Sequence, residues 1–286
     1  MFHNIALSGG GIHTIAFIGC VKYLQEHKKL DELYNVIGSS GGSIMCLMLV
    51  LNFTYEEMID VIKHIFKEHE SLFSFSMRSI FNIPKTYGMN NGDIIIQTVR
   101  TILKKKNIDV DITFIDLIKK TGKNIIVATT NLSKKKIEYL SVDTYPEMKV
   151  ITAIRMSTCV PIIFEPVKYY NDVYVDSFIY NNFPIDFFDK FTVDTLGLNL
   201  VTKELNGDNS MKSFRQYLNL LFDSFYTSLM MKKPTKNYEY VCEIPIRNTL
   251  KNFDAYNMKF VINEDVINEL VNTGYEHLCL FLDESK

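Results

Sequence analysis

The residues of this chain best suited to chemistry are a serine and two glycines, in the pattern Gly38-x-Ser40-x-Gly42 directly after the apolar pair Val36 and Ile37. This spacing is typical of a nucleophile elbow, a tight strand-to-helix turn that carries a serine. Because the turn is cramped, the positions two residues away from the serine must lack side chains. The pattern therefore predicts that Ser40 is a catalytic nucleophile and that Gly38 and Gly42 support the turn. For so short a pattern, the alternative is a glycine-rich connection without chemistry.

A second glycine-rich turn, formed by Gly9, Gly10 and Gly11, lies near the amino terminus. The backbone N–H groups of successive glycines can converge on a developing negative charge, and a following helix N-terminus favours that charge. The loop is also one residue away from a dinucleotide fingerprint, but Asp31 and Glu32 precede the second strand instead of ending it. We therefore favour an oxyanion hole over a nucleotide-binding loop, with a purely structural turn as the remaining alternative.

Both turns belong to an alternation of short apolar strands and amphipathic helices within residues 4–51. Such alternation indicates a parallel α/β sheet whose site lies at the carboxyl ends of its strands. We expect both turns at the same edge of that sheet. The predicted strands are 4–7 and 33–37, and the predicted helices are 14–27 and 43–51.

Further elements follow along the chain, together with two apolar stretches, 71–89 and 214–231, that are candidates for an acyl-chain pocket or lid. The remaining predicted helices are 55–72, 94–105, 111–120, 148–157, 214–231 and 265–282. The remaining predicted strands are 124–130, 136–141, 195–201 and 240–246, with a hairpin at 169–175.

A serine hydroxyl needs a base before it becomes a useful nucleophile, and Asp176 stands just past a predicted strand. In Ser-His-Asp hydrolases of the α/β type, the histidine follows the acid in the chain. Only His277 does so here, and it falls inside the predicted closing helix, whereas His13 precedes the serine. These positions support the conventional triad only weakly. A Ser–Asp dyad would instead need a carboxylate within hydrogen-bond reach of the hydroxyl, with its basicity raised by a dry site.

Four segments, in this order, resemble the patatin-like phospholipases, a family of lipid acyl hydrolases that use a Ser–Asp dyad without histidine. The similarity extends over residues 4–200. The family's glycine-rich loop is similar to residues 9–14, its G-x-S-x-G elbow to 38–42, its A-S-x-x-x-P segment to 155–161, and its D-G-[G/A] acid motif to 176–184.

The resemblance implies an α/β fold of three layers, with a central, mostly parallel sheet flanked by helices. It implies a patatin-like catalytic domain over 4–201, and we expect 202–286 to be a C-terminal extension packed on the same domain. Ser40 would be the nucleophile, Asp176 the base, and Gly9, Gly10 and Gly11 the oxyanion hole. Phospholipids or other acyl-ester lipids would be hydrolysed through an acyl-enzyme and contribute to lipid degradation, without a metal or another cofactor.

Two departures from the family pattern lie beside the site. His13 and Thr14 replace a basic residue and a glycine of the loop, and Ser177 and Phe178 replace small residues after the acid. A β-branched Thr14 is costly if the backbone is left-handed there, and a bulky Phe178 could crowd or tilt Asp176. The alternative function is therefore a catalytically impaired patatin-like protein that binds lipid or protein.

Composition places limits on partners and location. A formal net charge of −2 over 286 residues gives no reason to expect a nucleic acid partner. Five scattered cysteines favour a reducing compartment. The amino terminus does not resemble a signal peptide, and the longest apolar run, residues 44–51, is too short to span a membrane. We therefore expect an intracellular protein, soluble or peripherally membrane-associated, whose contact with a membrane surface is transient.

Overall fold

The computed structural model describes residues 1–68, 83–190, 194–202, 224, 238–246, 253–254, 259–260 and 262–284. The apolar stretch at 214–231 lies outside the described residues apart from Ser224, and so do residues 71–82 of the other stretch.

Strands and helices alternate along the first half of the chain. The strands are β1 (Asn4–Leu7), β2 (Asn35–Ser39), β3 (Gly88–Asn90), β4 (Asn124–Asn131), β5 (Lys136–Leu140), β6 (Ile162–Phe164), β7 (Val167–Tyr169), β8 (Asp172–Val175), β9 (Thr195–Thr202), β10 (Val241–Ile246), β11 (Phe253–Asp254) and β12 (Lys259–Phe260). The helices are α1 (Ala16–Glu26), α2 (Gly41–Val50), α3 (Tyr55–Glu68), α4 (Asp93–Lys105), α5 (Phe114–Thr121), α6 (Val150–Ser157) and α7 (Glu264–Glu284), with 3-10 helices at Gly11–Ile15, Ser177–Ile179 and Pro184–Lys190.

Within the described part of the chain, eight strands form one central sheet in the order β10-β9-β1-β2-β4-β8-β7, with β5 beside β4. The strands from β10 to β4 are parallel, whereas β8, β7 and β5 are added antiparallel. The predicted mostly parallel α/β sheet is therefore confirmed. Because β1, β2 and β4 are parallel neighbours, their carboxyl ends meet at one edge.

Both faces of the sheet are covered, as the alternation of side chains along each strand requires. On β1, Ile5 and Leu7 point into the large core that contains α1 and α2. Ala6 points to the opposite face, where a smaller cluster is closed by residues of the 3-10 helix Pro184–Lys190. The central strands are consequently inaccessible to water on either face, which fixes the elbow at the end of β2 in a rigid frame.

Helix α7 packs against α1 through two glycines. A Cβ on Gly19 would lie 1.8 Å from the carbonyl oxygen of Val271, and a Cβ on Gly274 would lie 1.8 Å from that of Ala16. The two helices can therefore approach this closely only because neither position carries a side chain.

The boundary at 201/202, between a catalytic domain and a C-terminal extension, stays a prediction.

A row of amide side chains crosses the amino ends of three strands. Asn35 donates its side-chain N–H to Asn4 Oδ1 at 3.0 Å, and Asn124 donates to Asn35 Oδ1 at 3.1 Å. The row ends on β9, because Asn4 donates to the Thr195 hydroxyl at 3.1 Å. All three asparagines are buried. The strands are thus joined by side-chain hydrogen bonds at the edge opposite the elbow.

Several boundaries differ from the sequence predictions. Strand β2 begins at Asn35 instead of residue 33 and runs through Ser39, because Asn35 pairs with the first residue of β1. Helix α2 begins at Gly41, directly after the serine. Residues 88–90, for which no strand is predicted, pair in parallel with β6. Among the helices of the described residues, none combines the length and the apolar character needed to cross a bilayer.

We expect Asn35→Ala to lower the free energy of unfolding by roughly 2–3 kcal/mol, because it leaves an acceptor on Asn4 and a donor on Asn124 buried without their partner. Urea unfolding followed by circular dichroism measures this change. The exposed Asn171→Ala is the control and should change the value by less than 0.5 kcal/mol, roughly the limit for surface positions. Equal effects of the two substitutions would contradict a stabilising role for the amide row.

Candidate active site

Ser40 occupies a strained turn between β2 and α2, with φ 50° and ψ −128°. Positive φ is uncommon for a residue with a side chain and persists only where the surroundings enforce it. Here they do: a Cβ on Gly38 would lie 2.6 Å from the carbonyl oxygen of Gly42, and a Cβ on Gly42 would lie 2.5 Å from that of Ser8. Gly38 and Gly42 therefore leave the space that this tight turn requires.

The hydroxyl of Ser40 meets the carboxylate of Asp176 directly. Its Oγ donates a hydrogen bond to Asp176 Oδ2 at 2.7 Å, although the two residues are 136 positions apart. Asp176 is fully buried, whereas Ser40 keeps 8% of its surface exposed. A small part of the serine is therefore accessible to solvent, whereas the carboxylate is dry.

One short segment at the end of α6 holds both members of this pair. The hydroxyl of Ser157 accepts the backbone N–H of Ser40 at 2.9 Å, and the carbonyl of Cys159 accepts the backbone N–H of Asp176 at 2.8 Å. Because the two contacts are only two residues apart, the serine and the acid are positioned against the same piece of chain.

The second carboxylate oxygen of Asp176 is also engaged. Oδ1 accepts the backbone N–H of Phe178 at 3.1 Å, so that the aspartate caps the 3-10 helix Ser177–Ile179. Burial raises the pKa of Asp176 to about 7, and the hydrogen bonds from Ser40 and Phe178 offset part of this effect. A carboxylate with this pKa is a much better proton acceptor than an exposed aspartate.

The glycine loop packs onto the elbow. A Cβ on Gly9 would lie 2.4 Å from Asn182 Oδ1 and 3.1 Å from the Cβ of Ser40. The N–H of Gly9 donates to the carbonyl of Asn182 at 2.9 Å and is therefore occupied. The N–H groups of Gly10 and Gly11 have no partner within the described part of the chain. Of the three predicted oxyanion donors, Gly10 and Gly11 are thus available for a ligand.

His13 and Thr14, which depart from the family pattern in the glycine loop, are accommodated without backbone strain. The left-handed position is Gly11, with φ 55°, whereas Thr14 lies outside that region and donates its hydroxyl to the Gly11 carbonyl at 2.7 Å. His13 is buried, and burial lowers its pKa to about 4. His13 is therefore neutral near pH 7 and does not replace the charge of the family's basic residue.

Ser177 and Phe178, which depart from the family pattern after the acid, also leave the Asp176 carboxylate beside Ser40. Phe178 is buried, and its backbone N–H is the group that binds Asp176. The hydroxyl of Ser177 lies 2.6 Å from that of Ser39, and both residues are fully buried. Neither Ser177 nor Phe178 separates the acid from the serine.

His13 and His277, the two histidines considered as bases, make their contacts away from the Asp176 carboxylate. His13 Nδ1 is 3.3 Å from the carbonyl oxygen of Gly10. His277 is on α7, the helix that packs against α1. Among the described residues, the Asp176 carboxylate is bound by the Ser40 hydroxyl and the Phe178 N–H.

Sequence reasoning did not assign roles to Ser39, Ser157 and Asn182, which contact the serine, the acid turn or the glycine loop. All three residues fall inside segments that resemble the family's motifs, so the resemblance is a signal that draws attention to them. Nothing in the local pattern around Ser39 indicated its partner, which is 138 residues away.

The relatives of this chain include a curated protein that carries a functional description. A probable lipid hydrolase of Invertebrate iridescent virus 6 is 31% identical over 188 residues, which make up 65% of this chain and 62% of the viral protein. The matched part thus spans less than two thirds of that relative's length.

Two solved structures share the fold at low sequence identity. VipD from Legionella pneumophila superposes with a TM-score of 0.58 at 17% identity, covering 99% of this chain and 67% of VipD. ExoU of Pseudomonas aeruginosa, in its complex with SpcU, gives a TM-score of 0.51 at 15% identity, covering 99% of this chain and 52% of the matched chain.

The sequence model of one family, described as patatin-like phospholipase, matches residues 5–189. This range contains the glycine loop, the elbow, the segment after α6 and Asp176. The chain therefore belongs to the patatin-like phospholipase family.

Proposed function

We propose that this protein is a lipid acyl hydrolase of the phospholipase A type, which hydrolyses acyl esters through Ser40 and Asp176. The observation that carries the proposal is the 2.7 Å hydrogen bond from a strained, partly accessible serine to a fully buried carboxylate. Membership of the family and the similarity to a probable viral lipid hydrolase support a lipid substrate, either a phospholipid or another acyl-ester lipid.

In the first half of the proposed reaction, Ser40 Oγ attacks the carbonyl carbon of the ester while its proton passes to Asp176 Oδ2. The carbonyl oxygen becomes an oxyanion, which the free N–H groups of Gly10 and Gly11 would stabilise. When this intermediate collapses, the ester C–O bond breaks and the departing alkoxide takes the proton from Asp176. An acyl-enzyme on Ser40 remains.

In the second half, a water molecule attacks the acyl carbon and gives a proton to Asp176. Collapse of the second intermediate breaks the bond to Ser40 Oγ, which recovers its proton from Asp176 as the fatty acid is released. Every proton transfer thus uses one carboxylate, and no histidine is required.

Burial of Asp176 allows this single carboxylate to serve in every proton transfer. An exposed aspartate is a weak base near pH 7, whereas a general base works best when its pKa is close to the operating pH. The pKa of Asp176 is raised to about 7 because the carboxylate is desolvated. The group therefore accepts a proton from Ser40 and returns it within one catalytic cycle.

We expect Ser40→Ala and Asp176→Asn each to reduce esterase activity at least ~1,000-fold, because they remove the nucleophile and the base of the proposed dyad. Initial rates on a soluble p-nitrophenyl ester and on phospholipid vesicles measure this loss. His277→Ala is the control and should keep the wild-type rate.

A fluorophosphonate probe tests the nucleophile independently of turnover, because the serine oxygen attacks phosphorus and displaces fluoride. Labelling should occur in the wild type and be lost in Ser40→Ala. Full activity of Asp176→Asn, or an inactive but folded His277→Ala, would contradict the dyad. A folded wild type that binds lipid without being labelled would instead favour the non-catalytic alternative.

The pH dependence follows from the protonation state that the base requires. Asp176 must be ionised to accept the serine proton, and its pKa is about 7. We therefore expect kcat/KM to fall by about tenfold per pH unit below pH 7 and to level off above it. Stopped assays with a soluble ester between pH 5 and 9 measure the profile. A flat profile from pH 5 upwards would show that no group with a pKa near 7 acts as the base.

The same burial lowers the stability of the folded protein when Asp176 is ionised. In the unfolded chain the aspartate ionises near its ordinary pKa of 3.8, whereas in the folded protein it retains its proton until about pH 7. The penalty for burying the charge therefore develops as pH rises from about 4 to about 7. Below this range the protonated acid carries no such penalty.

We expect Asp176→Asn to be more stable than the wild type, by a margin that grows by up to roughly 3 kcal/mol between pH 5 and pH 8. Urea unfolding at the two pH values measures the margin. The exposed Asp143→Asn is the control and should show no such growth. A margin independent of pH would mean that Asp176 is not buried as a charge.

A further inference from the structure

The two residues that flank the dyad in the chain form a second contact of their own. Ser39 precedes Ser40, Ser177 follows Asp176, and their hydroxyl oxygens lie 2.6 Å apart. Both side chains are fully buried. Each hydroxyl has the other as a hydrogen-bonding partner in a place that water does not reach.

Ser39 ends β2 and Ser177 lies two residues beyond the end of β8, and these two strands are not neighbours in the sheet. Strand β4 lies between β2 and β8, with Ala128 paired to Ser39 and Thr130 paired to Val175. Adjacent strands are about 4.8 Å apart, so that roughly 10 Å separates the backbones of β2 and β8. The backbones of the elbow and the acid turn are therefore too far apart to bond to each other. Besides the segment at Ser157 and Cys159, only side chains can join them across the end of β4.

The dyad hydrogen bond spans this gap once, and the Ser39–Ser177 pair spans it a second time. Ser39 Oγ also lies near the glycine loop, 3.2 Å from the place where a Cβ on Gly9 would be. The hydroxyl pair consequently joins the elbow to the acid turn, beside the loop that carries the free N–H groups.

We propose that Ser177 is a positioning residue, whose hydroxyl, through Ser39, holds the Asp176 turn at the correct distance from the Ser40 elbow. This inference rests on the proposed function. In the acid motif of the family that this chain resembles, the corresponding position is a glycine, which has no hydroxyl to offer. Ser177 is therefore an added connection in this chain and not a tolerated irregularity.

The pair is tested by a double-mutant cycle with Ser39→Ala, Ser177→Ala and the combined variant. On a soluble ester, each single variant should lower kcat about tenfold, with KM unchanged within about twofold, because the acyl-binding surface is not altered. The combined variant should be no worse than either single variant within about threefold, since the two hydroxyls act as one unit. Independent roles would instead give about a 100-fold loss.

Two further variants keep the test decisive. Ser177→Gly installs the residue of the family motif and should reproduce the loss in kcat if Ser177→Ala fails to fold. Ser141→Ala removes another buried serine hydroxyl, which accepts the Asp143 N–H at 3.2 Å, and should leave kcat unchanged. The rate of fluorophosphonate labelling should fall in parallel with kcat in the Ser39 and Ser177 variants.

Wild-type kcat in folded Ser177→Ala and Ser177→Gly would overturn the positioning role, and so would additive losses in the cycle. These outcomes differ from failure of the proposed function itself, which would appear as a wild type without turnover or as turnover that survives Ser40→Ala.

Discussion

The hydrogen bond between Ser40 and the buried Asp176 carboxylate is the interaction on which the rest of the site depends. A buried charge is unfavourable unless hydrogen bonds compensate for lost water, and here the two carboxylate oxygens are bound by one hydroxyl and one backbone N–H. The segment at Ser157 and Cys159 then fixes the backbones of both residues. The site is thus a small polar assembly enclosed by apolar layers, and the chemistry that we propose for it depends on that enclosure.

Strain and burial act together at this edge of the sheet. The left-handed backbone of Ser40 and the desolvated Asp176 are each unfavourable by themselves. They persist because both faces of β1, β2 and β4 are packed and because glycine stands wherever a side chain would collide with the turn. The stability of the surrounding α/β core is therefore what allows the site to hold an unfavourable geometry.

The fold and the candidate residues Ser40 and Asp176 could be inferred from sequence, because the sequence patterns that indicate them are local. Gly38, Ser40 and Gly42 lie within five residues, and Asp176 directly follows a strand-like run. The pairing of β3 with β6, the partner of Ser39 and the occupied N–H of Gly9 could not be inferred, since each depends on residues far apart in the chain. Motifs thus revealed which groups are present, whereas tertiary contacts determine which of their atoms are free.

The amide row of Asn4, Asn35 and Asn124 has a consequence for how the chain reaches this state. Each amide finds its partner only when the three strands align with these residues side by side. A shift of one strand by a single residue would exchange its faces and leave buried amides unpaired. The row therefore discriminates against misaligned sheets during folding, and a chain that has satisfied it at one edge has already brought the elbow to its correct level at the other.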